Sequence, residues 1–528
     1  MAIGRTESVA LVGVHGKMVE IEADLGQGLP KTVLVGRPDT SVTEARDRCR
    51  AAVINSGHPW PNRRITIALS PASLPKGGAQ YDLGIALAVL SASGVVDPES
   101  LAGTVLLGEL ALDGRLRAVP GVLPSALAAA EAGWLRLVVP EVNVAEAEVV
   151  PGLSVVGMRS LRQVMAMLRG EEEPDDPPVP PLDLGPTASW RAGDRTSTLD
   201  LADVVGQTAA RWSVEVAAAG GHHLLLEGPP GAGKTMLAER LPRLLPDLTC
   251  TQALEVSAVH SVAGLLTPET PLLNRPTFVD PHHTASVASI VGGGSRMIRP
   301  GAMSLAHHGV LFMDEAPEFA AHVLEALRQP LESGQVTISR ADASATYPAS
   351  FLLVLAANPC PCGQAPGPEC TCTPTVMRRY RDRISGPVRD RVDISREVLP
   401  VPRHELLDRL ATAEGSDVVA ARVLAARARA QHRLAGTPWY RNSDVPGPDL
   451  RKQWPLSDAA ASRLEQPVHR GVASARGLDR VVRLAWTVAD LAGRAQPSSD
   501  DVDAAWGLRH SAAIALDRSA GMSQELSA

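Results

Sequence analysis

Aromatic residues are scarce in this chain: Phe, Trp and Tyr make up 3% of its 528 residues. Wide base-stacking platforms are thereby excluded. An excess of positive charge is also lacking, since 51 Lys and Arg face 58 Asp and Glu for a net charge of −7. A uniformly basic nucleic-acid coat is excluded, and any DNA contact must use a local patch. Six cysteines are too few in a chain this long for a disulfide scaffold. No run approaches the ~18 apolar residues of a membrane span. The N-terminal segment is broken by Gly, His and Lys and has no clear signal-peptide cleavage site. These absences lead us to expect a cytoplasmic protein in a reducing compartment, with no membrane partner.

What is present is ordinary globular composition, 45% hydrophobic and 21% charged. At ~150 residues per domain, three or four domains are expected. Residues 171–186 read EEEPDDPPVPPLDLGP, where acids and prolines leave no apolar period. Such a stretch reads as a linker, which we extend over 171–199. It divides an α/β domain (1–170) from a second α/β unit (200–405) and a helical remainder (406–528). In the first domain, VEIEADLG, LPKTVLVG, RRITIALS and LRLVVP read as strands. Thr43–Ser56 has helical spacing, with Ala45, Cys49, Ala52 and Val53 on one face. Helices are also expected over Asp82–Ser93 and Pro124–Ala132, and a hairpin at Asp113-Gly114.

The second unit carries the chemistry. Gly228, Pro229, Pro230, Gly231, Ala232, Gly233, Lys234 and Thr235 fit G-x-x-x-x-G-K-[ST], after an apolar strand and before a helix. The glycines let backbone N–H groups face phosphates, and the helix N-terminus adds positive potential. Lys234 is expected on the β- and γ-phosphates of ATP and Thr235 on Mg²⁺. Farther on, the strand GVLFMDE delivers Asp314 and Glu315. Asp314 is expected to hold Mg²⁺ through water and Glu315 to take a proton from the attacking water. Without the P-loop upstream, this pair would read as a solvated strand end. The strand SFLLVLAAN ends in Asn358, placed to orient that water; its plain reading is a turn before Pro359. Arg391, in DRVD, is a candidate to reach a neighbour's γ-phosphate, or else it pairs with Asp390 or Asp393. Arg476, in SARGLDR, is a candidate second sensor among many arginines.

The order P-loop, Asp-Glu, Asn, D-R-x-D and S-x-R resembles that of AAA+ ATPases. The strings GHHLLLEGPPGAGKT, DPHHTASVASIVGGGS, RPGAMSLAHHGVLFMDEAPEF and NPCPCG resemble the Mg-chelatase-like YifB/ComM family over nearly the whole chain. The resemblance implies an α/β multidomain fold. Its parts are a Lon-protease-like (ribosomal S5 domain 2-like) N-terminal domain, an AAA+ P-loop module with insertions, and a C-terminal helical lid. It further implies a homohexameric ring around single-stranded or branched DNA. That ring would drive branch migration in natural transformation, with recombination proteins as further partners. A chelatase motor subunit, or a protein remodeller with a protein partner, are the competing readings. One departure stands out. The Lon pattern's nucleophile position falls on Gln80 and its lysine position on Leu123. Neither side chain can do that chemistry, so peptidase activity is not expected.

Cys360, Cys362, Cys370 and Cys372 fall within thirteen residues. Four thiolates can close a tetrahedral Zn²⁺ site; unliganded thiols or disulfides are the alternatives. From Arg378 to Arg396, seven arginines face three aspartates, which suits DNA phosphates or, equally, intersubunit and nucleotide contacts. Gly292–Arg299 and Ser333–Tyr347 are candidate ring-lumen loops, with Arg296, Arg299 and Arg340 as DNA contacts. His282 and His283 resemble a metal pair but lack a third ligand, so packing or intersubunit bonding is expected of them.

Overall fold

The computed structural model describes residues 3–36, 39–182, 196–294, 298–340, 344–364, 367, 369–402, 413–469 and 474–510. Arg296 lies outside the described residues.

Strands β1 (Ile3–Val12) and β2 (His15–Gly26) pair antiparallel along their whole length. The expectations above contain no strand over β1, because its first buried positions are Gly4, Thr6 and Ser8, which give no apolar alternation. On the other face Arg5 Nε meets Glu22 Oε1 at 3.0 Å and Glu20 Oε1 at 3.6 Å across the two strands, while Glu7 lies opposite Glu20. After β3 (Lys31–Val35), helix α1 (Thr40–Asn55) starts where the Asp39 carboxylate accepts from Val42 N at 2.8 Å. Its Ala45, Cys49, Ala52 and Val53 are fully buried, as one 3.6-residue face requires. Then come β4 (Arg64–Ser70), the wholly buried α2 (Asp82–Ala92), β5 (Thr104–Leu106), α3 (Val122–Glu131), β6 (Arg136–Pro140), β7 (Ser154–Met158) and α4 (Leu161–Arg169). The seven strands make one mixed sheet in the order β3-β4-β2-β1-β5-β6-β7. The hairpin at Asp113-Gly114 pairs only Glu109–Leu110 with Leu116–Arg117, outside that sheet.

Residues 171–182 form no helix or strand, yet they are tied down. The Asp176 carboxylate accepts from Ser160 and Arg162, and its backbone carbonyl from Arg159 at 3.0 Å. Gln163 donates to Pro174 O at 2.8 Å, and Val179 is buried. Composition missed this because a few charge-assisted bonds, rather than apolar area, hold the strap.

The second unit runs α5 (Thr208–Gly220), β8 (Leu224–Glu227), α6 (Lys234–Leu244), α7 (Cys250–Ala263), β9 (Phe278–Val279), β10 (Val310–Met313), hairpin strands β11 (Gln335–Ser339) and β12 (Ser344–Pro348), β13 (Leu352–Ala357), α8 (Pro374–Arg381) and β14 (Ile394–Glu397). Five strands form an all-parallel sheet ordered β9-β10-β13-β8-β14. Strands β10 and β13 are buried at every position, as expected of parallel strands covered on both faces. Because all five run the same way, every strand ends on one edge of the sheet and begins on the other. That single fact decides where the polar residues meet.

Helices α9 (Ser416–Arg433), α10 (Asp458–His469), α11 (Ala475–Leu491) and α12 (Ser499–His510) follow. Val419, Val423, Leu484 and Leu508 share one core with Val214 and Leu237 of α5 and α6. The N-terminal domain docks through α3 and α7, where Gly121 N donates to Ser261 O at 2.9 Å and Ser261 Oγ to Glu146 at 2.8 Å. Tyr347 of β12 is buried in a cluster that includes Leu11 and Val14. Among the described residues, no helix is long and apolar enough to cross a membrane.

Candidate nucleotide site

Three strand ends build the site. β8 runs into Gly228–Gly233, and Gly233, at φ 93°, turns the chain into α6 in a conformation that side chains rarely adopt. Lys234 is buried, and its ammonium donates to Gly228 O at 2.7 Å, Pro229 O at 2.9 Å and Asn358 Oδ1 at 3.0 Å. Burial lowers its pKa, while the charges of Asp314 and Glu315 oppose that shift. β10 ends just before Asp314, whose Oδ2 accepts from Thr235 Oγ1 at 2.8 Å. A hydroxyl beside a carboxylate is a hard-oxygen pair suited to Mg²⁺. β13 ends just before Asn358. The structure thus brings Lys234, Thr235, Asp314 and Asn358 together.

Glu315 sits beside them in an uncommon left-handed conformation, φ 50° and ψ 42°. Its Oε2 lies 3.2 Å from His283 Nδ1. His283 lies against His282, with ring centroids 4.1 Å apart and planes tilted by 33°, and His282 Nδ1 bonds Thr284 Oγ1 at 2.8 Å. The histidine pair therefore serves the acidic strand end. Its position in a separate loop gives no such signal in the sequence.

Arg391 and Arg476 are elsewhere. They line a polar cleft of about 480 Å³ with Gly221, His223, Ser350 and Asp393. Those four residues lie at or just before the starts of β8, β13 and β14, so the cleft opens on the sheet edge opposite the P-loop. Arg391 pairs with Glu332 and donates to Pro387 O at 2.7 Å, rather than pairing with Asp390 or Asp393. Its Nε is buried without a hydrogen-bond partner. Arg476 is exposed and 3.9 Å from Asp390. Arg441, Arg480 and Arg483 share the cleft and were not singled out in the sequence. Arg480 pairs with Asp393 and donates to Arg391 O at 3.0 Å, bolting α11 to the loop that carries Arg391. Burial would raise the Asp393 pKa, but Arg480 and the two neighbouring histidines hold it well below the carboxylate range.

Of the arginines between 378 and 396, Arg378, Arg379 and Arg381 on α8 are exposed, whereas Arg383 and Arg389 pair with Glu318 and Glu227. Arg299 and Arg340 are exposed, and among the described residues neither has an acidic partner. They lie on adjoining segments, since a Cβ on Gly293, which pairs with Arg299, would sit 3.9 Å from Arg340 Nη2. The Cys360, Cys362, Cys370 and Cys372 thiols converge, with all four sulfurs within 4.8 Å of one another.

Comparison with known proteins finds matches over nearly the whole chain. The model for magnesium chelatase, subunit ChlI, matches residues 200–406; those for subunit ChlI of Mg-chelatase and the ChlI C-terminal region match 21–143 and 413–509. Competence protein ComM of Haemophilus influenzae is 40% identical over 96% of this chain and 98% of its own. YifB of Escherichia coli is 42% identical over 93% of this chain and 94% of its own. The chain belongs to the YifB/ComM family. Rv2897c of Mycobacterium tuberculosis is 51% identical over 97% of this chain and all of its own. Family membership makes this a magnesium-chelatase-like AAA+ protein of mixed α/β, multidomain build.

Proposed function

We propose that the chain is an ATP-hydrolysing ring motor that acts on branched or single-stranded DNA and promotes branch migration. The observation that carries the ATPase part is the meeting of Lys234, Thr235, Asp314 and Asn358 at one sheet edge, with Glu315 alongside. The loop amides and Lys234 hold the ATP phosphates, Thr235 and Asp314 hold Mg²⁺, Glu315 takes a proton from water and Asn358 orients that water. His283, 3.2 Å from Glu315, restrains that carboxylate. Arg391 and Arg476 face away from their own P-loop, so they serve the nucleotide of the next subunit. This arrangement calls for a closed ring, and we take it as a homohexamer.

The DNA part rests on likeness to a protein named for competence and on the exposed Arg299 and Arg340, which have no acidic partner among the described residues. The N-terminal domain is read as Lon-like (ribosomal S5 domain 2-like) and non-peptidolytic: Leu123 is fully buried and Gln80 nearly so, and neither supplies a nucleophile or base. A chelatase motor subunit is the second reading, favoured by the ChlI matches. The deciding experiment is ATPase rate with and without single-stranded, duplex and four-way-junction DNA, with Lys234→Ala as control. Stimulation by DNA that the variant abolishes supports the motor. Robust ATPase with no DNA response or binding removes it.

A further inference from the structure

The cysteine-rich loop does more than follow the Asn358 strand. We propose that Cys360, Cys362, Cys370 and Cys372 hold one structural Zn²⁺, and that this knuckle braces the P-loop from the side. The sulfur positions already describe a metal site. Cys360 Sγ lies 3.3 Å from Cys362 Sγ and 3.8 Å from Cys370 Sγ, and Cys362 and Cys370 are 3.7 Å apart. A tetrahedron with Zn–S bonds of ~2.3 Å has edges of ~3.8 Å. A disulfide needs its sulfurs at ~2.05 Å, and all four thiols are free. Thiols are weak donors and weak acceptors, so mutual hydrogen bonding gives four of them little reason to converge. Four sulfurs also leave no open position, which marks a structural rather than a catalytic site.

The neighbours give the site its purpose. Cys360 is fully buried two residues after Asn358, whose side chain holds Lys234. Gly363 closes the first turn, donating to Cys360 O at 3.0 Å with φ 76°. A Cβ on Gly363 would lie 2.7 Å from Pro230 Cγ and 2.8 Å from its Cδ, so the turn rests directly on the P-loop. Cys372 immediately precedes Thr373, the N-cap of α8. One ion therefore ties together the Asn358 strand end, the side of the P-loop and the start of the arginine-bearing α8. The described residues between β13 and α8 form no helix or strand, and metal ligation supplies rigidity there. Zinc occupancy is independent of whether the P-loop hydrolyses ATP; the bracing effect rests on the nucleotide reading above.

The test uses full-length protein purified reduced, without chelator and without a metal-affinity step. Elemental analysis is expected to find about one zinc per chain. The double variant Cys362→Ser/Cys372→Ser is expected to lose it and to bind a fluorescent ADP analogue about tenfold more weakly. Cys362→His, which keeps a fourth ligand, is expected to retain both zinc and nucleotide affinity, separating metal loss from misfolding. Metal-stripped wild type titrated with Co²⁺ is expected to show thiolate charge-transfer and tetrahedral d–d bands. Wild type that carries no zinc and gives no such bands overturns the metal site. A zinc-free double variant with wild-type ADP affinity overturns the bracing role.

Discussion

Arg391 gives the sharpest test of how this molecule is put together. It precedes β14 at the sheet edge where the strands begin, while the P-loop follows β8 at the edge where they end. β8 has four residues, about 13 Å at ~3.3 Å per residue, which exceeds the reach of an arginine side chain. Arg391 therefore cannot touch the γ-phosphate held by its own chain. Arg391→Ala is expected to lower kcat by about 10³-fold or more, the usual loss when such an arginine is removed. Lys234→Ala is expected to be inactive for lack of phosphate binding. Mixing the two inactive variants in equal amounts is the decisive assay. An intact site needs its P-loop from an Arg391→Ala chain and its arginine from a Lys234→Ala chain. Random assembly supplies that combination at about one quarter of interfaces, so ATPase should recover to about a quarter of wild type if sites act independently. Every ring in the mixture keeps dead sites, so strict sequential firing would stall it; single-turnover hydrolysis, which needs no neighbouring site to fire, is therefore the rate to compare. No recovery above the sum of the separate variants, with subunit exchange shown by fluorescence transfer, would refute action across subunits.

Three other expectations follow from named contacts. His283→Ala releases Glu315 and is expected to raise the basal ATPase rate and shrink the stimulation by DNA, leaving nucleotide affinity unchanged; a lowered basal rate with intact stimulation would contradict the holding role. Asp490 is buried and accepts from Arg433 Nη1 at 2.6 Å, Arg433 Nη2 at 2.7 Å and Asn442 at 2.9 Å, beneath a guanidinium 4.2 Å from the Trp486 ring. Asp490→Ala leaves that cation unpaired and is expected to cost about 3–5 kcal/mol in denaturant unfolding; a loss under ~1 kcal/mol would contradict the pairing. Burial drops His223, His260 and His308 to a pKa of about 4. The unfolded chain then binds more protons than the folded one, so stability holds above pH ~7 and falls between ~6.5 and ~4. The His260→Gln variant should show a shallower fall in melting temperature over that window, and an unchanged slope would refute the buried neutral imidazole.

The parts of the site that lie close along the chain were legible beforehand. Gly228–Thr235 is one contiguous loop between a strand and a helix, and its phosphate-cradling geometry follows from local backbone freedom and the helix terminus. The apolar runs ending at Asp314 and Asn358, the buried face of α1 and the cysteines within thirteen residues are likewise local patterns. The strand over Ile3–Val12 was not legible, because its first buried positions are Gly4, Thr6 and Ser8, and Arg5 meets Glu22 only once β2 lies beside it.

What the sequence by itself determined was the set of reactive groups and the elements that carry them. Which groups meet was decided by the tertiary structure. Lys234 and Asn358 are 124 residues apart, and Thr235 and Asp314 are 79 apart. They touch because β8, β13 and β10 are neighbours in a parallel sheet, whose strands all end on one edge. The same strand direction sends Arg391, Arg476 and Arg480 to the other edge, away from the phosphate loop of their own chain. Spacing along a chain carries no record of strand order, so only the folded sheet could separate the arginines from the P-loop and bring His283 to Glu315.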